Sequence, residues 1–281
     1  MTEAKGVVFD TQDGRDLQLD VYRPPDTAPS HRMAVVQFHG GAYRLGSRAM
    51  MQPRAEALSA LGFVCVAPDY RFVTDAPWPS QLQDAMSAID WVRHKADDLD
   101  VDPTRVVVQG NSSGGHLALM VAATTDVAAV AATYALVELF ETADQFPAGA
   151  DVGLDDLAGL GRPDGAAPAA MVFGGGATSA DAATASPMTH VSATYPPALF
   201  IHGTADAIVD PAGSRRMHQA LLDVAATSEL VEYAHQAHEF DAGPLFADIV
   251  AHNIAGFLRR TLIEPEAFRQ EQAEHNPFFS G

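Results

Sequence analysis

The stretch Val106–His116, VVVQGNSSGGH, decides the fold of this chain. Its first three residues are β-branched and apolar, and an apolar helical run follows it, so it predicts a strand that turns directly into a helix. Gly110, Ser112 and Gly114 form the pattern Gly-x-Ser-x-Gly at that turn. Such a turn is strained, and the two glycines remove Cβ atoms that would collide. The turn therefore projects the serine side chain into a cleft.

Ser112 is the candidate nucleophile of this turn. The neighbouring Ser113 would need a glycine at position 111, where the sequence has Asn111. The helix that begins here also directs its first backbone N–H groups at negative charge. A Gly/Ser turn that merely precedes a helix is the alternative interpretation.

Apolar runs alternate with helical segments on both sides of this stretch. The predicted strands are 33–38, 63–67, 105–109, 127–136, 198–202 and 230–234. The predicted helices are 52–61, 80–96, 115–123, 211–224 and 245–262. A hairpin of two strands, 6–9 and 17–22, precedes them. The alternation predicts an α/β fold, with a mostly parallel central sheet covered by helices on both faces and an N-terminal antiparallel hairpin.

The segment 140–187 breaks this rhythm, because it is rich in Ala, Gly, Asp and Pro and has weak periodicity. Loops this long in compact domains are usually lids or binding segments, so we expect a cap or lid inserted into a single domain that spans 1–281. A disordered linker is the alternative. Residues 264–281 are interpreted as a polar tail.

Composition and charge exclude several classes of partner. The chain has 17 Lys and Arg residues against 36 Asp and Glu residues, a formal net charge of −19. Such a surface repels phosphate backbones and anionic lipid headgroups, so neither nucleic acid nor a membrane surface is an expected partner. No stretch approaches about 18 uninterrupted apolar residues, so no membrane span is expected. The N-terminus lacks the apolar segment of a secretory signal, and we expect a cytoplasmic protein.

A second glycine pair, Gly40 and Gly41, follows the predicted strand 33–38. Glycines at a strand end let backbone amides approach a reacting oxygen closely. Gly40 and Gly41, together with the amide of Ser113, are therefore the candidate donors of an oxyanion hole. A plain turn at the end of a strand is the alternative.

A serine hydroxyl needs a base and an orienting carboxylate, which in this layout follow it in the order Ser, acid, His, each after a strand. Asp206, just after the predicted strand 198–202, is the candidate acid, and Asp210 is its competitor. Asp210 precedes a proline, a pairing typical of a helix start, so Asp206 is preferred. His238 is the candidate base because it stands further out on its loop than its competitor, His235.

No metal or cofactor site is predicted. The sequence has no His-Glu-x-x-His motif, and His235 and His238 match no zinc signature. No Gly-x-x-x-x-Gly-Lys-Ser/Thr motif supports nucleotide binding. The strand-end histidines His39 and His202 are interpreted as braces for loops. The single cysteine, Cys65, lies in an apolar run and is interpreted as a buried, inert thiol.

Together these motifs resemble the α/β-hydrolase superfamily, and within it the esterases related to hormone-sensitive lipase and the small acetyl and feruloyl esterase-like proteins. The matching pieces, in the family's order, are His39-Gly40-Gly41-Ala42, Asp69-Tyr70-Arg71 with Pro77-Trp78-Pro79, Gly110 to Gly115, Ser186-Pro187, His202-Gly203-Thr204-Ala205-Asp206 and His238-Glu239-Phe240. The resemblance implies a serine carboxylesterase that cleaves small-molecule esters through an acyl-enzyme intermediate. It leaves the acyl chain and the alcohol open.

The resemblance also implies a role for each candidate residue. Ser112 is implied as the nucleophile, His238 as the general base and Asp206 as its orienting acid. The implied oxyanion donors are Gly40, Gly41 and Ser113. A homodimer is common among the proteins of this group, so a second copy of the chain is an expected partner.

Two positions depart from the pattern of that family. Ala42 stands where a third glycine is common. We therefore expect the protein to accept a narrower range of substrates whose ester alcohol is bulky. Glu239 stands where glycine is common, and a carboxylate beside the base favours the protonated imidazole, so it bears on the pH optimum. An arylformamidase or amidase with the same machinery is the first alternative function. A non-catalytic ligand-binding protein of hydrolase fold is the second.

Overall fold

The structure is a computed structural model that describes residues 3–139 and 179–278. The predicted lid, 140–187, lies outside the described residues as far as residue 178, and so does the predicted tail beyond residue 278. The sheet and the helices given below lie within these ranges.

The described elements alternate along the chain as the sequence predicts. The strands are β1 Glu3–Gln12, β2 Arg15–Tyr22, β3 Ala34–Phe38, β4 Val64–Pro68, β5 Val106–Asn111, β6 Ala129–Thr133, β7 Ala198–Gly203 and β8 Ser228–Tyr233. The α-helices are α1 Gln52–Ala60, α2 Ser80–His94, α3 Ala96–Leu99, α4 Ser113–Thr124, α5 Ser179–Thr184, α6 Pro211–Asp223, α7 Pro244–Leu258 and α8 Pro265–His275. Short 3₁₀ helices lie at Arg48–Met51 and Pro187–His190, and a π-helical turn lies at Arg259–Ile263.

The strands form one sheet in the order β1-β2-β4-β3-β5-β6-β7-β8. The six strands from β3 to β8 run parallel, and the hairpin β1–β2 joins antiparallel at the β4 edge. The hairpin turns at Asp13 and Gly14, whose φ angles of 52° and 77° suit a two-residue turn. The predicted α/β fold with a mostly parallel sheet and an N-terminal hairpin is confirmed.

Helices cover both faces of the sheet. Successive residues of a strand point to opposite faces. Val108 of β5 therefore lies in the core cluster that includes α2, α4 and α6, and Val107 lies in the cluster that includes α1 and α7. Helix α4 lies deepest, because all ten of its residues from Ser113 to Ala122 are buried. This burial explains why the helix is apolar nearly all round rather than amphipathic.

Two segments differ in detail from the predicted pattern. The predicted strand 127–136 ends at Thr133, because Tyr134 turns out of the sheet with a φ of 39°. Helix α8 occupies much of the segment interpreted as a polar tail. Its sequence, PEAFRQEQAEH, has no apolar residues at helical spacing and none of its residues is buried, so no pattern predicts this helix.

The parallel sheet gathers the candidate site at one edge. The candidate residues follow the carboxyl ends of four strands, β3, β5, β7 and β8. Because parallel strands point the same way, these ends meet at a common edge, which is where ligand sites form in such sheets.

The described core predicts that alanine substitutions at two phenylalanines change the free energy of unfolding by different amounts. Phe200 of β7 is fully buried, whereas Phe278 is 92% exposed. Phe200→Ala should lower the free energy of unfolding by about 3–5 kcal/mol, because it removes a buried ring and leaves a cavity. Phe278→Ala is the matched control and should leave it unchanged. Urea unfolding measures both, and equal losses would contradict the described core.

Candidate active site

Ser112 lies at the turn between β5 and α4, with a φ of 55° and a ψ of −121°. A non-glycine residue in such a sparsely populated region is strained by about 1–3 kcal/mol. Backbone hydrogen bonds hold it there. The Ser112 N–H donates to the Thr133 carbonyl at 3.0 Å, and the His116 N–H donates to the Ser112 carbonyl at 3.0 Å. The structure therefore has the strained strand-to-helix turn that the sequence predicts.

The glycines of this turn are required by contact. A Cβ atom on Gly110 would lie 2.0 Å from the Gly114 carbonyl oxygen, and one on Gly114 would lie 2.2 Å from the Phe38 carbonyl oxygen. Such distances would force the backbone apart. The two glycines thus let α4 pack directly against the ends of β3 and β5.

His238 and Asp206 converge on Ser112 from the loops after β8 and β7. The Ser112 hydroxyl donates to Nε2 of His238 at 3.0 Å, and Nδ1 of His238 donates to Oδ2 of Asp206 at 2.7 Å. Gly203 lets the two loops meet, because a Cβ atom there would lie 2.2 Å from the Gln236 carbonyl oxygen. The structure brings together the three side chains that the sequence analysis selects.

Asp206 is held as an anion by four hydrogen bonds. Its Oδ1 accepts from the N–H groups of Ile208 and Val209 at 2.8 and 2.9 Å, and its Oδ2 accepts from His238 and His202. Burial alone raises the pKa of this carboxyl, but the hydrogen bonds and the charge of His238 outweigh it and lower the pKa well below its usual range. The carboxylate is therefore charged at neutral pH.

His202 contacts the candidate acid directly, although the sequence analysis gives it only the role of a brace. Its Nε2 donates to Oδ2 of Asp206 at 3.2 Å and to the Val209 carbonyl at 3.1 Å. The Ser214 hydroxyl donates to its Nδ1 at 2.8 Å. This fully buried ring ties the acid loop to helix α6.

The two competitors lie elsewhere. Asp210 caps helix α6, where its side chain accepts from the Ala212 N–H at 2.9 Å. His235 is exposed, and its backbone N–H bonds the Thr204 hydroxyl at 3.0 Å. Neither side chain belongs to the Ser112–His238–Asp206 chain of hydrogen bonds.

The candidate oxyanion segment borders the serine. A Cβ atom on Gly40 would lie 3.2 Å from Cβ of Ser112. Gly41, Ala42 and Tyr43 follow with φ angles of 122°, 53° and 60°, a run of backbone that favours glycine. Ser113 is the first residue of α4, so its N–H has no acceptor within the helix.

Tyr43 anchors this segment to the helix behind it, a link that the sequence analysis missed. The Tyr43 hydroxyl donates to Nδ1 of His116 at 2.6 Å, and Nε2 of His116 donates to the Ala185 carbonyl at 2.7 Å. Burial lowers the pKa of His116 to about 4, so the ring is neutral at pH 7. His116 thus joins the oxyanion segment to the described end of the predicted insertion.

Arg54 also escaped the sequence analysis. It is buried on α1 and binds the carboxylates of Glu239 and Asp241, which follow His238 in sequence. One arginine in a helix and two acidic residues in a distant loop form no recognisable sequence motif. The contact of Arg54 with Glu239 and Asp241 is therefore visible only in the folded chain. Glu239 has a φ of 59°, which explains why glycine is common at this position in the family.

Two negative findings apply to residues 3–139 and 179–278. No group of three or more His, Cys, Asp or Glu side chains there is placed to hold a metal ion. No helix in these ranges is both long and apolar enough to cross a bilayer.

The fold and the site together define the class of the protein. A serine on a glycine-flanked strand-to-helix turn, with a histidine and an aspartate from later strand ends, is the arrangement of the α/β-hydrolases. The chain belongs to the BD-FAE family, whose model matches residues 19–221. The resemblance to the hormone-sensitive-lipase-like branch of that superfamily is confirmed.

Two similar proteins are mycobacterial esterases. Esterase LipQ of Mycobacterium tuberculosis is 32% identical over 256 residues, which cover 87% of this chain and 59% of LipQ. Esterase LipC of the same organism is 28% identical over 276 residues, which cover 90% of this chain and 64% of LipC. The chain thus spans about three fifths of the length of these relatives.

Solved structures match over nearly the whole chain. Esterase 2 of the planctomycete Thermogutta terrifontis, in its native form, has a TM-score of 0.73 and is 29% identical. The match covers 92% of this chain and 93% of that one.

His116 predicts a pH dependence of stability. The unfolded chain protonates this histidine below about pH 6.5, whereas the folded chain does so only near pH 4. Stability from this group is therefore complete above pH 6.5 and is lost as the pH falls towards 4, by about 3 kcal/mol at most. Urea unfolding between pH 7 and 4.5 measures the loss.

The variant His116→Asn keeps an acceptor for Tyr43 but does not titrate, so its stability should fall less over this range. The exposed His252, changed to Asn, is the control and should behave as the wild type. If His116→Asn kept the full pH dependence, the acid sensitivity would arise elsewhere.

Proposed function

We propose that this protein is a carboxylic ester hydrolase that works through an acyl-enzyme on Ser112. The observation that carries the proposal is the chain of hydrogen bonds from Ser112 through His238 to Asp206, at 3.0 and 2.7 Å. A serine hydroxyl is a weak nucleophile until a base takes its proton, and this geometry supplies the base and its orienting acid.

The first half of the reaction forms the acyl-enzyme. His238 takes the Ser112 proton on Nε2 while Oγ attacks the ester carbonyl carbon. The carbonyl electrons move to oxygen, and the amides of Gly40, Gly41 and Ser113 stabilise that oxyanion. When the intermediate collapses, the bond to the alcohol breaks and His238 returns the proton to the leaving oxygen.

The second half releases the acid. Water replaces the alcohol and gives a proton to His238 as it attacks the acyl carbon. Collapse of the second intermediate frees the carboxylic acid and returns the proton to Ser112. Asp206 stays ionised throughout and stabilises the imidazolium that forms in both halves.

Small esters with short acyl groups are the proposed substrates. The support is the similarity to Thermogutta terrifontis esterase 2, which has been solved with propionate and with butyrate bound. Arylformamide hydrolysis by the same machinery is the second candidate. A side-by-side assay of p-nitrophenyl and N-formyl substrates separates the two.

The proposal extends to location and assembly. A cytoplasmic location is the expectation from the sequence, and a homodimer is the expectation from the family resemblance. Cell fractionation and light scattering test these two points.

Ser112→Ala should lower kcat for p-nitrophenyl butyrate by about 10⁶-fold, because no other group replaces the nucleophile. The wild type should also gain one diethylphosphoryl group from paraoxon, as Thermogutta terrifontis esterase 2 does. Intact-mass spectrometry detects that adduct, which Ser112→Ala should not form. A labelled or active Ser112→Ala variant would overturn the nucleophile, and an unlabelled wild type would favour a non-catalytic binding protein.

The base and the acid have matched controls in their competitors. His238→Gln should lower kcat by about 10⁶-fold, and Asp206→Asn by about 10⁴-fold, because each breaks the hydrogen-bond chain to Ser112. His235→Gln and Asp210→Asn should keep kcat, the latter because asparagine also caps a helix. Steady-state kinetics on the four variants decides the assignment, and a loss confined to the control variants would reverse it.

A further inference from the structure

Arg54 joins helix α1 to the loop that carries His238. Its Nε and Nη2 donate to Oδ2 and Oδ1 of Asp241 at 3.0 and 2.6 Å, and its Nη2 donates to Oε2 of Glu239 at 2.9 Å. Arg54 is 5% exposed and Asp241 is fully buried. One guanidinium therefore binds the residues one and three positions after His238.

The same group of side chains reaches the serine turn. Asn111, which directly precedes Ser112, donates from Nδ2 to Asp241 at 3.1 Å and to the Tyr134 hydroxyl at 2.6 Å. The Tyr134 hydroxyl donates to Oδ1 of Asp241 at 2.5 Å. The Tyr134 ring lies against the His238 ring, with 4.6 Å between centroids. The side chains thus contact the base and the residue before the nucleophile.

A further contact is made at the oxyanion segment. Oε1 of Glu239 lies 3.1 Å from the point that a Cβ atom on Gly40 would occupy. We call the whole set the Arg54 cluster, which consists of Arg54, Asn111, Tyr134, Glu239 and Asp241. The Arg54 cluster borders the base His238, the turn that carries Ser112 and the oxyanion segment at Gly40. None of its members belongs to the hydrogen-bond chain from Ser112 through His238 to Asp206.

The loop needs external contacts to keep its shape. His235 and Glu239, on either side of His238, have φ angles of 61° and 59°, and such backbone is strained for a residue other than glycine. The paired hydrogen bonds from Arg54 to Asp241 are the directional contacts that tie this loop to a helix.

We propose that Arg54 is a positioning residue, which holds the His238 loop against Ser112 and balances the two carboxylates beside the imidazole. The inference rests on the proposed ester hydrolysis at Ser112. Without Arg54, a buried and a half-buried carboxylate lose their cation, which is strongly unfavourable. The loop then shifts, and the unbalanced negative charge favours protonated His238.

The charged and titratable groups around His238 either contact its ring or interact with a residue that does. They are Asp206 and His202 from the end of β7, Tyr134 from the end of β6, Glu239 from its own loop, and Arg54 and Asp241 behind Tyr134. Arg54 is the permanent cation of this set. Its loss should therefore move the acid limb of the pH profile towards higher pH.

The test compares Arg54→Met with Arg71→Met in the full chain. Arg71 is also buried and binds buried Asp84 through Nε and Nη2 at 3.0 and 2.7 Å, but it contacts no part of the Ser112 chain. Arg54→Met should lower kcat for p-nitrophenyl butyrate by about 10²-fold with little change in KM, because the base is misplaced. Its acid limb in kcat/KM should rise by about one pH unit.

Arg71→Met should lower the Tm by about as much as Arg54→Met does, but it should keep the kcat and the pH profile of the wild type. Arg54→Lys restores the charge without the planar fork, so its acid limb should return while kcat recovers in part. Glu239→Gln leaves the Arg54–Asp241 pair in place and removes one negative charge, so its acid limb should fall. This variant tests the charge balance even if Arg54→Met does not fold.

The proposal is overturned if Arg54→Met keeps the pH profile of the wild type, or if its loss of kcat matches that of Arg71→Met at equal Tm. It is also overturned if Glu239→Gln raises the acid limb. A wild type that neither cleaves the ester nor reacts with paraoxon would instead overturn the proposed function. The two failures are therefore distinguishable.

Discussion

The tight passage from β5 into α4 at Ser112 is the constraint on which the rest of the structure depends. Cβ atoms at Gly110 and Gly114 would overlap carbonyl oxygens, so only glycine permits the approach. Because the approach is so close, α4 is buried against the sheet and its N-terminus lies at the edge where the strands end. The strained serine, the first helix amides without an acceptor in the helix, and the nearness of Gly40 all follow from this one turn.

A second constraint is the set of polar side chains that are buried behind that turn. Gln37 donates to Gln109 at 2.9 Å, and Gln109 donates to Asn111 at 2.7 Å, so a ladder of amides crosses from β3 into β5. The ladder ends at Asp241, whose buried carboxylate is tolerable because Arg54, Tyr134 and Asn111 all donate to it. The polar side chains inside these apolar strands therefore form hydrogen bonds that lead to Asp241, in the loop that carries His238.

The sequence analysis predicts most of the fold, because apolar runs, turn glycines and helix periodicity are local patterns. The proposed nucleophile, base and acid also follow local motifs, each placed just after a strand. The Arg54 cluster follows none, since Arg54 lies 187 residues from Asp241 and 80 from Tyr134, and they meet only in the folded chain. Helix α8 was missed for a different reason, because a helix without an apolar face lacks the pattern that predicts one.

In two loops of the site, residues other than glycine take the positive φ angles that favour glycine. Ala42 and Tyr43 take positive φ angles in the oxyanion segment, and Glu239 takes one beside the base. In each loop a side chain supplies the restraint: the Tyr43 hydroxyl bonds His116, and the Glu239 carboxylate bonds Arg54. These contacts offset the backbone strain of the positive φ angles. Because both anchors are buried on helices, the geometry around Ser112 is set by the packing of α1 and α4 against the sheet rather than by the loops themselves.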